Sequence, residues 1–391
     1  MPAVSEVTYL DHAATTPLRP EVGRAMADVH AEPLGNPTGS HRSAQRARRL
    51  LEEARDEIAA LVGFEPGEIV FTSGGTESAN LAVFGPLTAG GPPPGDPPVL
   101  LYSAVEHPAV LESCRAAAAQ GLAQAVALPV DPAGRVDLGA LAAALGPRTA
   151  LVAVMAANNE TGVLQPLGQV VTAVRASGAP ARVFSDAVQA APFVDLARAC
   201  AGVDLVGLSA HKIGGPVGVG VLGVRSTVAL APHMHGGGQE RERRSGTQDV
   251  AGAVGLAVAL HLAATERVEA ARAVAERRDR LAAGLASVPG THRTVPGSVP
   301  TLPGHLHLCW EGVAREELLV SLGQVGLCAS GGSSCASGAL QESHVLAAMG
   351  LPADLARGAI RFTLGPATTD EDIARALAAV PAAVAALRRR P

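Results

Sequence analysis

Short, near-continuous apolar runs alternate with longer stretches whose apolar residues recur at helical spacing along the first two thirds of the chain. The runs GEIVF, VLLYSAVEH, Ala123–Pro129, TALVAVMAANN and RVFSDAVQ read as buried strands. Between and before them, Arg19–His30, Arg42–Leu61 and stretches opening near Thr76, after Pro108, at Asp137 and after Pro166 read as helices. Ser40 serves as the expected N-cap of the second helix and Gly63 as its stop, while its interleaved arginines and glutamates read as a solvated face. Strands alternating with helices predict an α/β fold with a mainly parallel sheet. From Gln248 to about Ser287 the pattern is one long Ala-rich helix, and a Pro/Gly segment follows it. Shorter elements come next: a strand over His305–Trp310, a helix over Arg315–Leu322 and a strand near 326–329. The expected organisation is a large α/β domain over 15–264, with 1–14 and 265–391 forming a smaller α+β domain.

Composition narrows the class. The chain has 391 residues, 48% of them apolar and 17% charged, which suits two folded domains and excludes a disordered chain. Aromatics are 2%, so Ala, Val and Leu must build the cores. A net charge of −5 gives no attraction to nucleic acid or an anionic membrane. The N-terminus lacks a signal-peptide pattern, and the apolar run Val250–Ala264 is too short to span a bilayer. Five cysteines without a CxxC pair predict neither a disulfide framework nor a metal site, so a reducing cytoplasm is expected. Gly90–Pro98 reads as an exposed Pro/Gly loop.

In a parallel sheet, ligands bind where strands end. The polar residues there are Glu106 and His107, Asn158 and Asn159, Asp186 and Gln189, and Ser209, His211 and Lys212. Lys212 follows an apolar run and precedes a glycine-rich turn, and desolvation there favours the neutral amine that forms a Schiff base with an aldehyde. Gly74, Gly75 and Thr76 lie where a strand meets a helix, a setting that offers free backbone N–H groups to a phosphate. A pyridine cofactor with a phosphate tail requires a lysine, a carboxylate for the ring nitrogen, a stacking partner and a phosphate cradle. Asp186, 26 residues before Lys212, suits the ring nitrogen, and His107 suits stacking and proton transfer. Asn159 and Gln189 suit the ring oxygen, and Thr76, Ser209 and His211 the phosphate. Each has a bland alternative: a helix cap for Asp186, a structural histidine for His107, a turn for Asn159.

The set occurs within motifs that run almost from end to end: YLDHAATTP, GNPTGSH, FTSGGTES, AVEHPAV, NNETGVLQP, SDAVQ, SAHKIGGPVGVG, GGGQERERRSGT, SGGSSCASGALQESHVL and IRFTLG. Through them the sequence resembles the pyridoxal-phosphate-dependent cysteine desulfurases, the NifS/IscS-like branch of class V aminotransferase-type enzymes, of fold type I. The resemblance implies that Lys212 is the Schiff-base lysine and that Gly75, Thr76, Ser209 and His211 bind phosphate. Asn159, Asp186 and Gln189 fall on ring-binding positions. Thr247 falls on a position that reaches the phosphate of a partner subunit, implying a homodimer. Arg361, with Asn36 of the GNPTGSH motif, is assigned to the substrate, the arginine to its carboxylate.

The same resemblance makes Cys335, in GGSSCASGA, the residue that decides the reaction. Its thiolate takes sulfur from L-cysteine as a persulfide and leaves L-alanine. Lys212 moves the α-proton and His107 is the acid/base of the sulfur step. An acceptor protein then receives the sulfur; iron–sulfur cluster assembly and tRNA thiolation are two destinations such enzymes serve. Cys114, Cys200 and Cys309 read as core, and Cys328 as structural. Val217 and Pro366 stand where relatives often carry lysine and arginine. A selenocysteine lyase or a class V transaminase are the alternatives, although a transaminase has no need of Cys335.

Overall fold

The computed structural model describes residues 7–90, 95–332 and 342–389. Cys335 therefore lies outside the described residues, as do Gly91–Pro94 of the Pro/Gly loop. A seven-stranded sheet forms the centre, in the order Ile69–Thr72, Gly220–Val224, Leu205–Ser209, Arg182–Asp186, Thr149–Ala153, Val99–Ser103 and Gln124–Leu128. Every strand is parallel except Gly220–Val224, which runs antiparallel to both of its neighbours. The mainly parallel α/β sheet matches the alternation in the sequence. The antiparallel strand is a difference, because it begins at Gly220, the last residue of the glycine-rich stretch after Lys212, where no strand was expected. Its glycines have steric reasons: a Cβ on Gly220 would stand 2.5 Å from the Leu208 carbonyl oxygen and 2.6 Å from Gly74 Cα.

Helices cover both faces of this sheet. On one side lie Arg42–Val62, Leu167–Ala176 and the first half of the long helix Val250–Leu285; on the other lie Gly75–Thr88 and Pro108–Ala119. The long helix packs closely because its buried face is small. A Cβ on Gly255 would sit 2.8 Å from Met26 Sδ, and Ala253, Ala257 and Ala259 are buried beside it. The helix Val250–Leu285 runs beyond the apolar run Val250–Ala264 expected to be too short, and by length and composition it could cross a membrane, but half of its most apolar stretch is buried inside the fold. Farther along, Val274, Leu281 and Leu285 join a second core. That core rests on a three-stranded antiparallel sheet, Ala359–Thr363, His305–Trp310 and Thr291–Arg293, and on helix Asp370–Arg388. Near the N-terminus, Thr8–Tyr9 pairs in parallel with Leu327–Cys328, so the first described residues belong with this second core.

Helix Arg42–Val62 departs from its expected form in two ways. His41 rather than Ser40 caps it, through a ring nitrogen that accepts from Ala44 N at 3.3 Å; Gly63 ends it at φ +75°. Its charged face is also not wholly solvated. Arg55 turns inward and makes a bidentate pair with Glu240 at 2.8 and 2.9 Å, both side chains nearly sealed from solvent. The guanidinium also donates to the Ile69 carbonyl, and Glu240 accepts from Phe71 N, so one pair fastens helix, sheet edge and a distant loop. Burial alone would raise the Glu240 carboxyl, but Arg55 more than offsets this and holds it below its usual range. The structure places Glu240, Arg241 and Glu242 at φ 46°, 56° and 64° to deliver that carboxylate.

Removing one partner strands a buried charge. Glu240→Ala is expected to lose about 3–5 kcal/mol of stability, read as a lower urea midpoint. The paired change Arg55→Met with Glu240→Leu should recover most of the loss, and an unchanged midpoint in Glu240→Ala would show that the pair is not stabilising.

Candidate active site

The carboxyl ends of the parallel strands converge on a cleft of about 530 Å³. Asp186 ends one strand and Ser209 the next; Gly75 and Thr76 follow Thr72, and His107 follows Ser103. Asn159, Gln189, His211, Lys212 and Arg361 complete the predicted residues that line it. Parallel strands all point their ends one way, so residues far apart in sequence meet here.

Lys212 stands at the end of a single tight turn, Ala210–Lys212, directly after strand Leu205–Ser209. A Cβ on Gly215 would stand 2.8 Å from the Ala210 carbonyl oxygen, so glycine is needed to close that turn. The lysine Nζ donates to the carbonyls of Ala13 and Ala14 at 2.8 and 2.6 Å, placing YLDHAATTP across the amine. Gln189 Nε2 donates to the same Ala13 carbonyl at 2.8 Å.

Asp186 is buried, and its Oδ1 accepts from Val188 N at 3.0 Å; it caps a turn rather than a helix. Burial pushes its carboxyl up, against the opposing pull of His107, the Val188 N–H and Lys212. His107 has the structural role considered for it and also stands on the cleft wall. Its Nδ1 accepts from Ala109 N and caps helix Pro108–Ala119, while the residue lines the cleft beside Asp186. Burial lowers its pKa and keeps the ring neutral, with Asp186 acting the other way. His211 lies 3.2 Å from Thr15 Oγ1 and is lowered to about 4 by burial and by Lys212.

A glycine-opened helix N-terminus stands where the phosphate cradle was expected. Gly74 at φ +145° opens helix Gly75–Thr88, a helix of 14 residues whose N-terminus faces the cleft through Gly75 and Thr76. A Cβ on Gly75 would meet Val188 Cγ2 at 2.9 Å, and one on Gly74 would point at Ser209 Oγ at 3.6 Å. A lysine, a buried carboxylate and a glycine-lined helix N-terminus in one cleft fit pyridoxal phosphate. Arg361, buried in strand Ala359–Thr363, pairs with Asp11 Oδ1 at 2.7 Å and donates to the carbonyls of Asn159 and Gly332. Among the described residues its buried Nε has no partner.

Two predicted residues do not come to this cleft. Asn36 is exposed, and its side-chain oxygen accepts from Thr38 N and Thr38 Oγ1, closing a local turn. Thr247 is also exposed and lines no part of it. Of the two asparagines, Asn158 is structural: its Oδ1 accepts from Glu160 N and Thr161 N, and its amide donates to Val105. Glu106 is sealed inside, accepting from Met155 N, and burial pushes it well up. Sequence reasoning missed Glu160, His344 and Met155, which line the cleft. A charged residue directly after Asn159 was the available sign for Glu160; nothing local marks the others. Among the described residues no group of metal-ligating side chains occurs.

The family model for aminotransferase class-V matches residues 8–376. The IscS-like cysteine desulfurase of Mycobacterium tuberculosis is 41% identical over 98% of each chain. Cysteine desulfurase IscS of Methanosarcina thermophila is 38% identical over 98% of this chain and 93% of its own. A solved NifS-like protein superposes with a TM-score of 0.90 at 34% identity, covering 97% of this chain and 99% of its own. The chain belongs to the aminotransferase class-V family, with the pyridoxal-phosphate-dependent cysteine desulfurases of the IscS/NifS kind.

Proposed function

We propose that this desulfurase carries sulfur as a persulfide on Cys335, with Lys212, His107 and Arg361 performing the steps around it. One observation supports the reading most directly. Gly332 and Glu342, the described residues on either side of the segment bearing Cys335, both line the cleft that holds Lys212.

Pyridoxal phosphate supplies the electron sink that stabilises negative charge on the substrate α-carbon. The chain does the rest. Arg361 holds the carboxylate of L-cysteine, and its ion pair with Asp11 fixes the guanidinium plane. When the cofactor is bound, Asp186 would hold its ring nitrogen, where a buried carboxylate would favour a bound proton. Gly75, Thr76, Ser209 and His211, which line the same cleft, would hold the phosphate. Lys212 removes the α-proton with Nζ. The Cys335 thiolate then attacks the substrate sulfur: its S–S bond forms, the carbon–sulfur bond breaks, and L-alanine leaves after proton return. His107, with Nδ1 accepting from Ala109 N, offers Nε2 for that exchange.

The homodimer belongs to the same proposal. Thr247 is exposed and outside its own cleft, which suits a residue that serves the partner's phosphate. An acceptor protein, an iron–sulfur scaffold or a thiolation enzyme, takes the sulfur. Cys114, Cys200, Cys309 and Cys328 are unpaired thiols, in keeping with a reducing, cytoplasmic setting.

Cys335→Ala should keep the cofactor's visible absorbance yet release no sulfide; normal sulfide release would reject the persulfide role, and equal alanine yields from selenocysteine would favour a lyase. For pH, a lowered His107 stays neutral through its ordinary value of 6.5. The acid limb of kcat/KM is therefore expected to fall only below that pH, and a limb centred at or above it would contradict the assignment. Subunit mixing tests the shared site. Lys212→Ala and Thr247→Ala homodimers should each be impaired, while their heterodimer regains one intact site; no regain would place Thr247 in its own subunit.

A further inference from the structure

Glu160 is a buried carboxylic acid on the cleft wall that the steps above leave unused. Its position is firmly set, because the Asn158 side chain accepts from the backbone N–H of both Glu160 and Thr161 at 2.9 Å. Its Oε2 accepts from Ser343 Oγ at 2.6 Å. On the other side it packs against the backbone of Gly332: a Cβ added there would stand 2.8 Å from that same oxygen. Gly332 has φ +94°, and its carbonyl accepts from Arg361 Nη1 at 3.2 Å. The Ser343 hydroxyl also accepts from Leu346 N and opens helix His344–Ala348. One carboxyl thus touches the chain both just before and just after the segment that contains Cys335. Burial pushes this carboxyl up, against the Ser343 hydroxyl and the more distant His344, Arg361 and Arg315. Desolvating such a group is unfavourable unless its partners offset the loss, and here the partners come from those two chain ends.

We propose that Glu160 is a positioning residue for sulfur transfer, gripping Ser343 and seating Gly332 so that the chain enters and leaves the Cys335 segment at two pinned points. Pinning both ends of a chain raises the concentration of a group between them at a nearby site. The inference rests on the reading of Cys335 as the sulfur-accepting thiol.

Single-turnover formation of the protein persulfide, compared with cysteine binding followed by cofactor absorbance, tests it in the full-length holoenzyme. Glu160→Ala is expected to slow persulfide formation about a hundredfold, the scale of a misplaced reacting group, with cofactor retained. The dissociation constant for cysteine should move by less than about threefold, and Glu160→Gln, whose amide oxygen still accepts from Ser343, should restore the rate to within about threefold. Three results would overturn the proposal: an unimpaired Glu160→Ala, a loss of cysteine binding in proportion to rate, or a Gln variant as slow as the Ala variant. Cys335→Ala separates the two layers. If it still desulfurates cysteine, the reading of Cys335 fails; if it is inert while Glu160→Ala is normal, only the role of Glu160 fails.

Discussion

Residues Asp11–Thr16 join the two halves of the active site, and the relative placement of Lys212 and Arg361 depends on them. Asp11 pairs with Arg361 on the small sheet, and Ala13 N donates to Thr363 Oγ1 on the same strand. Two residues on, the carbonyls of Ala13 and Ala14 receive the Lys212 amine, and Thr16 N donates to the His211 carbonyl. The Lys212 amine and the Arg361 guanidinium are thereby spaced by one short segment that turns at residues 12–14, where Ala14 N donates to the Asp11 carbonyl. A backbone strap of this kind transmits position well, because its polar groups are engaged both within its own turn and on the elements that carry Arg361 and Lys212.

Burial sets the protonation states around that strap. Asp186, Glu106 and Glu160 are all pushed up, while His107 and His211 are pushed down. The same desolvation acts with opposite sign on acids and imidazoles, since it penalises whichever form is charged. Neutral imidazoles at the cleft can exchange protons without first losing one to solvent. Groups with shifts of this kind cluster where proton transfer is performed.

Close backbone packing provides the remaining requirement. Gly220 lies so close to the Gly74 backbone that a side chain on it is excluded, and Gly74 takes φ +145°, which brings the N-terminus of helix Gly75–Thr88 to the mouth of the cleft. The positive end of a 14-residue helix is then turned toward the cleft, where a phosphate would be favoured. The Arg55–Glu240 pair secures the outer edge of the same strand, Ile69–Thr72, from which that helix departs.

The alternation of apolar runs and helical stretches determined the parallel α/β sheet, because strands buried on both faces must be apolar throughout. Strand-end residues followed from that alone, so Lys212, Asp186, His107, Asn159 and Ser209 were legible, and their motifs carried the family. Local chemistry also marked Gly63 as a helix stop, since only glycine adopts its left-handed backbone readily. What the sequence did not show depends on partners distant along the chain. Arg55 reads as solvated until Glu240, 185 positions away, is placed beside it. Gly220–Val224 is not marked as a strand until the Leu208 and Gly74 backbones are seen to require glycine at its first position. Asn36 belongs to a cleft motif by sequence, yet Thr38 occupies its side chain in space. Glu160 acquires a role only when Gly332 and Ser343, each more than 170 positions on, meet at its carboxyl. Periodicity reports which face of an element is buried, whereas the identity of the group it meets there is decided only when distant segments pack together.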